Sequence, residues 1–293
     1  MKTGKILLFS AAVLIISMAA LVWFFPATGA FRIDNPFWNG LSDFSSSTGA
    51  IGISSLSDLP ANPAGTVLVE IPYALFNGTD LARIGQFVNQ GGTLLLMDDY
   101  GQGNQVLSYL GVDMRFSGKP LLDPFFNYNN PFLPRIFTFS YPLNGSEFIT
   151  MNYATALVNA SAPNVLAWSS SFSFLDLSGS TQKTLSDPSG PLPVIAYERL
   201  GNGALIVVSD PSILINSMRS IDGDSMLVSK LLGFDGEPAS IYLDQSHLPV
   251  QPLDEAKSAL ASAYVAVSSP AGALCLIAVA IALSTMPLWK RSQ

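Results

Sequence analysis

The sequence contains few of the residues that build metal clusters and catalytic triads. It has one cysteine, Cys275, and one histidine, His247, in 293 residues. A single cysteine excludes an internal disulfide bond and any zinc site made of several cysteines. A single histidine likewise excludes any site that needs two or more imidazoles.

Charged residues are also scarce, and basic residues are the scarcer kind. Only 12% of the chain is charged, and 14 Lys and Arg against 21 Asp and Glu give a formal net charge of −7. Ordinary globular chains carry roughly 25% charged residues. Because binding to phosphate backbones requires Lys and Arg, we expect no nucleic-acid partner. A hydrophobic content of 49% excludes a disordered chain.

Two long uncharged runs predict membrane helices. Residues 6–25 contain no charge, and a helix of that length spans about 30 Å, the thickness of the hydrocarbon core. A cleaved signal peptide is the alternative for this run, and cleavage stays open. A second run, 258–289, is followed directly by Lys290 and Arg291. We expect Cys275, inside this run, to be a packed apolar residue.

The basic residues flank both runs on the terminal side, which favours cytoplasmic termini and an exterior domain between the helices. We therefore expect a two-pass cell-membrane protein whose partners are the lipid bilayer and membrane or envelope proteins. Three glycosylation sequons, at Asn77, Asn144 and Asn159, suit an exterior domain. The predicted segments are cytoplasmic tails at 1–5 and 290–293, membrane helices at 6–25 and 266–289, and an exterior domain at 27–257.

The exterior segment alternates strand and helix signals. A β-branched run at 66–71 precedes a helical pattern at 80–89, and Gly91-Gly92 ends that helix before the apolar strand 93–97. Near the end of the domain, strands at 193–197 and 204–208 are joined by a Gly-Asn-Gly turn typical of a hairpin. The pattern predicts an α/β domain.

The section between these parts, about 112–191, has a different composition and predicts a β-rich insertion. Aromatic residues crowd the stretch 125–141. They could form a carbohydrate-binding platform or an exposed interaction patch, or they could pack the irregular insertion.

Acidic residues follow several of the predicted strands. In open parallel sheets, ligands bind beyond the carboxyl ends of the strands. The candidate ligand-binding residues are Asp98, Asp99, Asp210, Asn216, Asp244 and His247. A divalent cation, with Asp99 and Asp210 as candidate ligands, would relieve the repulsion between carboxylates. The alternative is that these aspartates cap helices and close turns.

The sequence resembles one family across most of residues 35–247. The segments that carry the resemblance are 80–88, 91–95, 190–194, 203–208, and Ser209-Asp210-Pro211-Ser212 with Asn216. They are similar to a prokaryotic, often archaeal, membrane-anchored family with a domain of unknown function (DUF4350-like) in the class I glutamine amidotransferase-like superfamily. The resemblance implies a three-layer, flavodoxin-like sheet. Amidotransferases use a Cys nucleophile after a strand, and no Cys follows 93–97 here, so that chemistry does not carry over.

These observations predict a flavodoxin-like α/β domain with a β-rich insertion and a transmembrane helix at each end. We expect a non-enzymatic, membrane-tethered exterior binding or interaction module that could belong to an envelope or transport-associated assembly, with no cofactor unless a divalent cation binds. The enzymatic alternative is an envelope hydrolase that uses His247 with a Ser, an Asp or a metal, although no G-x-S-x-G motif occurs.

Overall fold

The structure, a computed structural model, describes residues 2–275, 277–278 and 281. Residues 28–249 form one compact unit, and the segments on either side of it form a second. The helices are α1 (Lys2–Phe24), α2 (Ser42–Thr48), α3 (Gly78–Asn89), α4 (Asn104–Tyr109), α5 (Asp224–Leu232) and α6 (Pro252–Ser268). In the second unit, α1 and α6 are in contact, and the rings of Trp23 and Tyr264 lie 6.2 Å apart.

The compact unit is a mixed α/β fold with one large sheet. Its strands are β1 (Ile51–Ile53), β2 (Thr66–Glu70), β3 (Thr93–Met97), β4 (Arg115–Phe116), β5 (Leu121–Leu122), β6 (Arg135–Ile136), β7 (Thr138–Phe139), β8 (Ile149–Thr150), β9 (Leu157–Val158), β10 (Val165–Trp168), β11 (Phe174–Leu175), β12 (Pro193–Leu200), β13 (Gly203–Val208) and β14 (Ser240–Asp244). The large sheet has eight strands in the order β1-β14-β2-β3-β13-β12-β10-β7. The pairs β5–β11, β4–β9 and β6–β8 form small separate sheets.

The first five strands of that order are parallel, and the last three pair antiparallel. Leu200 pairs with Gly203, so Gly201 and Asn202 form the two-residue turn of the β12–β13 hairpin. The strands β7 and β10 come from the inserted section and extend the main sheet. The carboxyl ends of the five parallel strands therefore lie at the same edge of the sheet. The acidic residues that follow these strands lie at this edge.

Two apolar layers cover the sheet because successive strand side chains point to opposite faces. Leu94 and Leu96 of β3 pack in a cluster with residues of α3 and α4. Leu95 and Met97 pack in a second cluster with residues of α2 and α5. Every residue of β3 is buried, as expected of a strand covered on both faces.

The strand order differs from the flavodoxin-like order predicted from the resemblance. A flavodoxin-like sheet has the order 2-1-3-4-5, whereas here the last strand, β14, lies between β1 and β2. Ile51 of β1 pairs with Tyr242 of β14, and Thr66 of β2 pairs with Ser240. These pairings join residues far apart in the chain, so local sequence patterns do not determine them.

The prediction of two membrane-spanning helices is wrong for the part of the chain that the structure describes. A helix that crosses a bilayer needs about 20 apolar residues, and no helix among the described residues combines that length with that apolar character. For example, α6 has 17 residues and carries Asp254 and Glu255 in its first turn. Much of 266–289 and all of 290–293 lie outside the described residues. The flanking membrane helices, the two-pass localisation and the bilayer as a partner are therefore not supported.

Candidate functional site

The carboxyl edge of the parallel strands collects acidic side chains. Glu70 and Asp244 are the last residues of β2 and β14. Asp98 and Asp99 follow β3, and Asp210 follows β13 closely. We describe two groups by their contacts: the aspartate group (Asp98, Asp99 and Asp210) and the histidine group (Glu70, Asp244 and His247).

The aspartate group combines burial with mutual repulsion. Burial, followed by the charges of Asp210 and Asp98, raises the pKa of Asp99 to about 8. Burial also raises the pKa of Asp210 to about 7, and it raises the pKa of Asp98. The structure thus brings these three predicted residues into one electrostatic environment.

Two members of the aspartate group bind backbone N–H groups. Asp210 accepts hydrogen bonds from the amides of Asn152 at 2.6 Å and Ser212 at 2.7 Å, and it caps a short 3-10 helix. Asp98 accepts from the amides of Tyr100 at 2.9 Å and Gly103 at 2.6 Å. These contacts fit the alternative in which Asp98 and Asp210 cap helices and close turns. Their carboxylate oxygens already accept hydrogen bonds from backbone N–H groups.

A small pocket lies beside Asp99. Its volume is about 220 Å³, and its lining includes Tyr73, Asp99, Tyr100, Asn152 and Tyr153. Pockets that hold drug-sized ligands measure about 300–1,000 Å³. Only a small molecule, or one end of a larger one, fits there.

The histidine group is more tightly connected. His247 Nδ1 forms a very short contact with Asp244 Oδ2, and His247 Nε2 lies 3.5 Å from Asp80 Oδ2. The ring of Phe76 stacks on the imidazole with centroids 4.1 Å apart. His247 is 6% exposed, so it is not the surface residue that a lone histidine usually is. Despite the burial of Asp244, the hydrogen bonds from His247 and Ser246 lower its pKa.

Sequence reasoning missed Glu70 as a site residue. Its side chain is fully buried, and no donor in the part of the chain that the structure describes bonds either carboxylate oxygen. Burial first, and then the charge of Asp244, raises the pKa of Glu70 well above its ordinary value. The one available signal was a charged residue at the end of the mostly apolar strand Thr66–Glu70.

The geometry around His247 does not form a Ser–His–Asp triad. In a triad, the acid and the nucleophile bind opposite imidazole nitrogens. Here Asp244 and Ser246 both lie at Nδ1, with Ser246 Oγ at 3.1 Å. Ser246 Oγ also donates to Asp244 at 2.6 Å, and a carboxylate faces Nε2. Among the contacts of this group, no hydroxyl lies at Nε2, where the nucleophile of a triad would be.

Asn216 lies apart from both groups and has a structural role. Its Oδ1 accepts from the amide of Asp43 at 3.0 Å, and its Nδ2 donates to the carbonyls of Asn35 at 3.1 Å and Phe37 at 2.7 Å. These bonds attach residues 35–43, which include the start of α2, to the segment that follows β13. Among the described residues, no hydrogen bond joins Asn216 to the aspartate group.

The three sequons lie on the surface. Asn77, Asn144 and Asn159 are all exposed. Asn77 also caps α3, because its Oδ1 accepts from the amides of Thr79 at 2.8 Å and Asp80 at 3.0 Å. The helix begins at Gly78, two residues before the helical pattern predicted at 80–89.

The inserted section exposes a cluster of phenylalanine rings. We call this the ring cluster: Phe125, Phe126, Phe137, Phe148 and Phe172, with exposed fractions of 73%, 42%, 48%, 40% and 50%. The centroids of Phe125 and Phe172 lie 5.1 Å apart, and those of Phe137 and Phe148 lie 5.3 Å apart. Phe126 contacts both Phe137 and Phe172. The rings thus form one connected surface feature.

Comparison with known proteins identifies the family. The fold is a mixed α/β domain, and acidic residues lie at the carboxyl ends of its parallel strands. The family model for the domain of unknown function DUF4350 matches residues 33–232. The chain belongs to this family.

Other comparisons give only distant likenesses. No curated protein matches the chain. A structure titled mmIFT52 N-terminal domain is 12% identical over 59% of this chain and 74% of that chain, with a TM-score of 0.43. A β-galactosidase from Bacillus circulans sp. alkalophilus is 15% identical over 58% of this chain and 22% of that chain, with a TM-score of 0.36. Likenesses this weak carry no argument about function.

Proposed function

We propose that the compact unit, residues 28–249, is a non-enzymatic interaction module that binds a protein partner through the ring cluster. The observation that carries this proposal is the exposure of five phenylalanine side chains in mutual contact on the inserted section. Soluble proteins rarely expose contiguous apolar surface without a binding role.

The side chains of the cluster favour an apolar protein segment over a carbohydrate. Phenylalanine has no polar group to pair with sugar hydroxyls, unlike Tyr and Trp. Arg135 lies beside the cluster, with its guanidinium 5.1 Å from the ring centroid of Phe148 and 5.3 Å from that of Tyr128. Aromatic residues and arginine are the types that contribute most to protein interfaces.

The hydrolase alternative receives less support from the site. A general base needs its proton acceptor within about 3 Å of the group that it activates. The nitrogens of His247 instead face Asp244 and Asp80, and the ring is buried beneath Phe76. We also retain, as part of this proposal, a relation to the class I glutamine amidotransferase-like superfamily without its Cys-based chemistry.

Selection from a random peptide library displayed on phage tests the proposal, with the full chain as bait. We expect enrichment of peptides rich in aromatic and aliphatic residues. The double variant Phe125→Ser/Phe172→Ser should weaken their binding at least tenfold, because it removes two of the most exposed rings. Leu185→Ser is the matched control, since Leu185 is a fully exposed apolar residue outside the cluster.

Two results would contradict the proposal. One is a library that yields no enriched peptide, and the other is a set of peptides that bind the double variant as well as the wild type. A glycan array run in parallel tests the carbohydrate alternative. Glycan binding that is lost in the double variant would assign the cluster to sugars instead.

A further inference from the structure

Glu70 is a buried acidic group at the end of β2. Its side chain is fully buried, and neither of its oxygens accepts a hydrogen bond from a donor among the described residues. An ionised carboxylate is strongly unfavourable in such a place unless a cation or a proton neutralises it. No Lys or Arg in the described part of the chain forms an ion pair with Glu70, Asp80 or Asp244.

The surroundings of Glu70 supply further ligand atoms. Glu70, Asp244 and His247 each offer one ligand atom, and these atoms all lie within 4.8 Å of one another. Asp80 adds a third carboxylate on the other side of the imidazole, with Oδ2 3.5 Å from His247 Nε2. The four residues come from the ends of β2 and β14, the start of α3 and the turn after β14.

We propose that Glu70, Asp244 and His247 bind one divalent transition-metal ion, with zinc as the favoured ion and with Glu70 supplying both of its carboxylate oxygens. Zinc accepts carboxylate and imidazole ligands in four-coordinate sites. Magnesium and calcium prefer oxygen ligands alone, so the imidazole favours a transition metal. This site differs from the Asp99–Asp210 pair, since the oxygens of Asp210 already accept backbone N–H groups.

The burial of the site assigns the ion a structural role. Glu70 and Asp244 are at most 1% exposed, and the ring of Phe76 covers the imidazole. A structural ion has all of its positions filled by protein ligands, whereas a catalytic ion keeps one open. Such an ion would hold the adjacent strands β2 and β14 together at their carboxyl ends.

Metal content and thermal unfolding of the full chain test this proposal. The purified chain is stripped with EDTA, supplied with Zn²⁺, Mn²⁺, Ca²⁺ or Mg²⁺, desalted, and analysed by mass spectrometry for metal. We expect one zinc per chain and a rise of several degrees in Tm with saturating zinc. Ca²⁺ and Mg²⁺ should leave Tm unchanged. Absence of zinc uptake, or a response to Ca²⁺ and Mg²⁺ alone, would overturn the proposal.

Matched variants locate the ion. Glu70→Gln and Asp244→Asn should each reduce zinc affinity by at least about 100-fold, since loss of an outer-shell partner alone reduces affinity 10- to 100-fold. Asp99→Asn is the control and should keep wild-type affinity. The opposite pattern would place the ion in the aspartate group and refute this site.

A spectroscopic test does not depend on the folding of the variants. Co²⁺ added to the stripped wild-type chain should give the intense visible absorption of a four-coordinate ion, and zinc should displace it with one equivalent. No uptake of Co²⁺ would mean that a shared proton, not a metal ion, neutralises Glu70, and the weak spectrum of a bound six-coordinate ion would refute the four-coordinate site.

Discussion

Asp224 at the start of α5 accepts a hydrogen bond from the backbone amide of Thr150 in β8, at 2.9 Å. The second oxygen of this buried carboxylate, Oδ2, has no hydrogen-bond partner among the residues that the structure describes. Burial, with the charges of Asp210 and Asp222, raises the pKa of Asp224 to about 8. The contact therefore ties the helix to the inserted section through a group that prefers to be protonated.

Asp224→Asn should reduce the loss of stability at alkaline pH. The folded chain holds the Asp224 proton at pH values where the unfolded chain, with an ordinary pKa near 3.8, has released it. The contribution of Asp224 to stability is therefore complete below about pH 4 and is lost as pH rises through about 8. Asparagine keeps the acceptor for Thr150 and cannot ionise.

Urea unfolding at pH 5 and pH 9 measures this effect. We expect the free energy of unfolding of the variant, relative to wild type, to increase between these pH values by on the order of 4 kcal/mol, since wild type loses about 1.4 kcal/mol per pH unit from pH 5 to about pH 8. Asp113→Asn, at an exposed position, should leave the pH dependence unchanged. Parallel pH profiles for Asp224→Asn and wild type would show that Asp224 ionises normally.

Asp222 forms the main ion pair between the inserted section and the segment before α5. Arg135 donates to it at 3.0 Å through Nε and at 3.2 Å through Nη2, and Thr150 donates a very short bond. Asp222 has a φ of 47°, which Asn tolerates better than Ala. Asp222→Ala should therefore destabilise the chain by about 2 kcal/mol, and Asp222→Asn by about half of that.

Urea midpoints at a constant m-value distinguish the two substitutions. Asp222→Asn retains one acceptor oxygen, which can still accept from Thr150, and loses the charge and the second acceptor for Arg135. Equal losses for the two variants would mean that the charge alone matters, with no contribution from the backbone conformation or from Thr150.

Local sequence patterns predicted much of the sheet. The apolar run 93–97 coincides with β3, and the Gly-Asn-Gly turn joins β12 to β13. The acidic residues after the strands also gather as expected, with Asp98 and Asp99 near Asp210 and with Asp244 beside His247. These features depend on residue spacing within a strand, a turn or a strand end.

Contacts between distant residues were not predictable in the same way. The position of β14 between β1 and β2 depends on pairings across more than 170 residues. Asn216 resembles a site residue by its place after β13, yet its partners are Asn35, Phe37 and Asp43. Glu70 is hidden in a strand whose other residues are buried and mostly apolar.

Gly203, at the start of β13, should tolerate no side chain. A Cβ there would lie 2.2 Å from both the Gly92 and Val88 carbonyl oxygens. Because both neighbours are backbone atoms, Gly203→Ala should destabilise the chain by more than about 3 kcal/mol. Gly78→Ala is the control, since a Cβ at Gly78 meets nothing within 4 Å and its effect should stay within about 1 kcal/mol.

Circular dichroism and thermal unfolding of the two glycine variants measure the difference. Comparable Tm values for Gly203→Ala and Gly78→Ala would mean that β13 can move away from Gly92, and that the close approach is not required by the fold.

Asn216→Ala should loosen the segment around α2 without unfolding the sheet. The side chain of Asn216 donates to Asn35 and Phe37 and accepts from Asp43, so the variant removes the bonds that hold residues 35–43. Loss of these bonds should speed amide hydrogen exchange there by about 10- to 100-fold.

Hydrogen exchange followed by mass spectrometry separates this structural role from ligand binding. Exchange in β3 and β13 should stay at wild-type rates, because both strands lie within the sheet and are buried. Unchanged exchange across 35–43 would show that Asn216 does not hold the segment, and would return it to the set of candidate ligand-binding residues. Faster exchange throughout the sheet would instead mean that α2 and its preceding loop are integral to the stability of the whole unit.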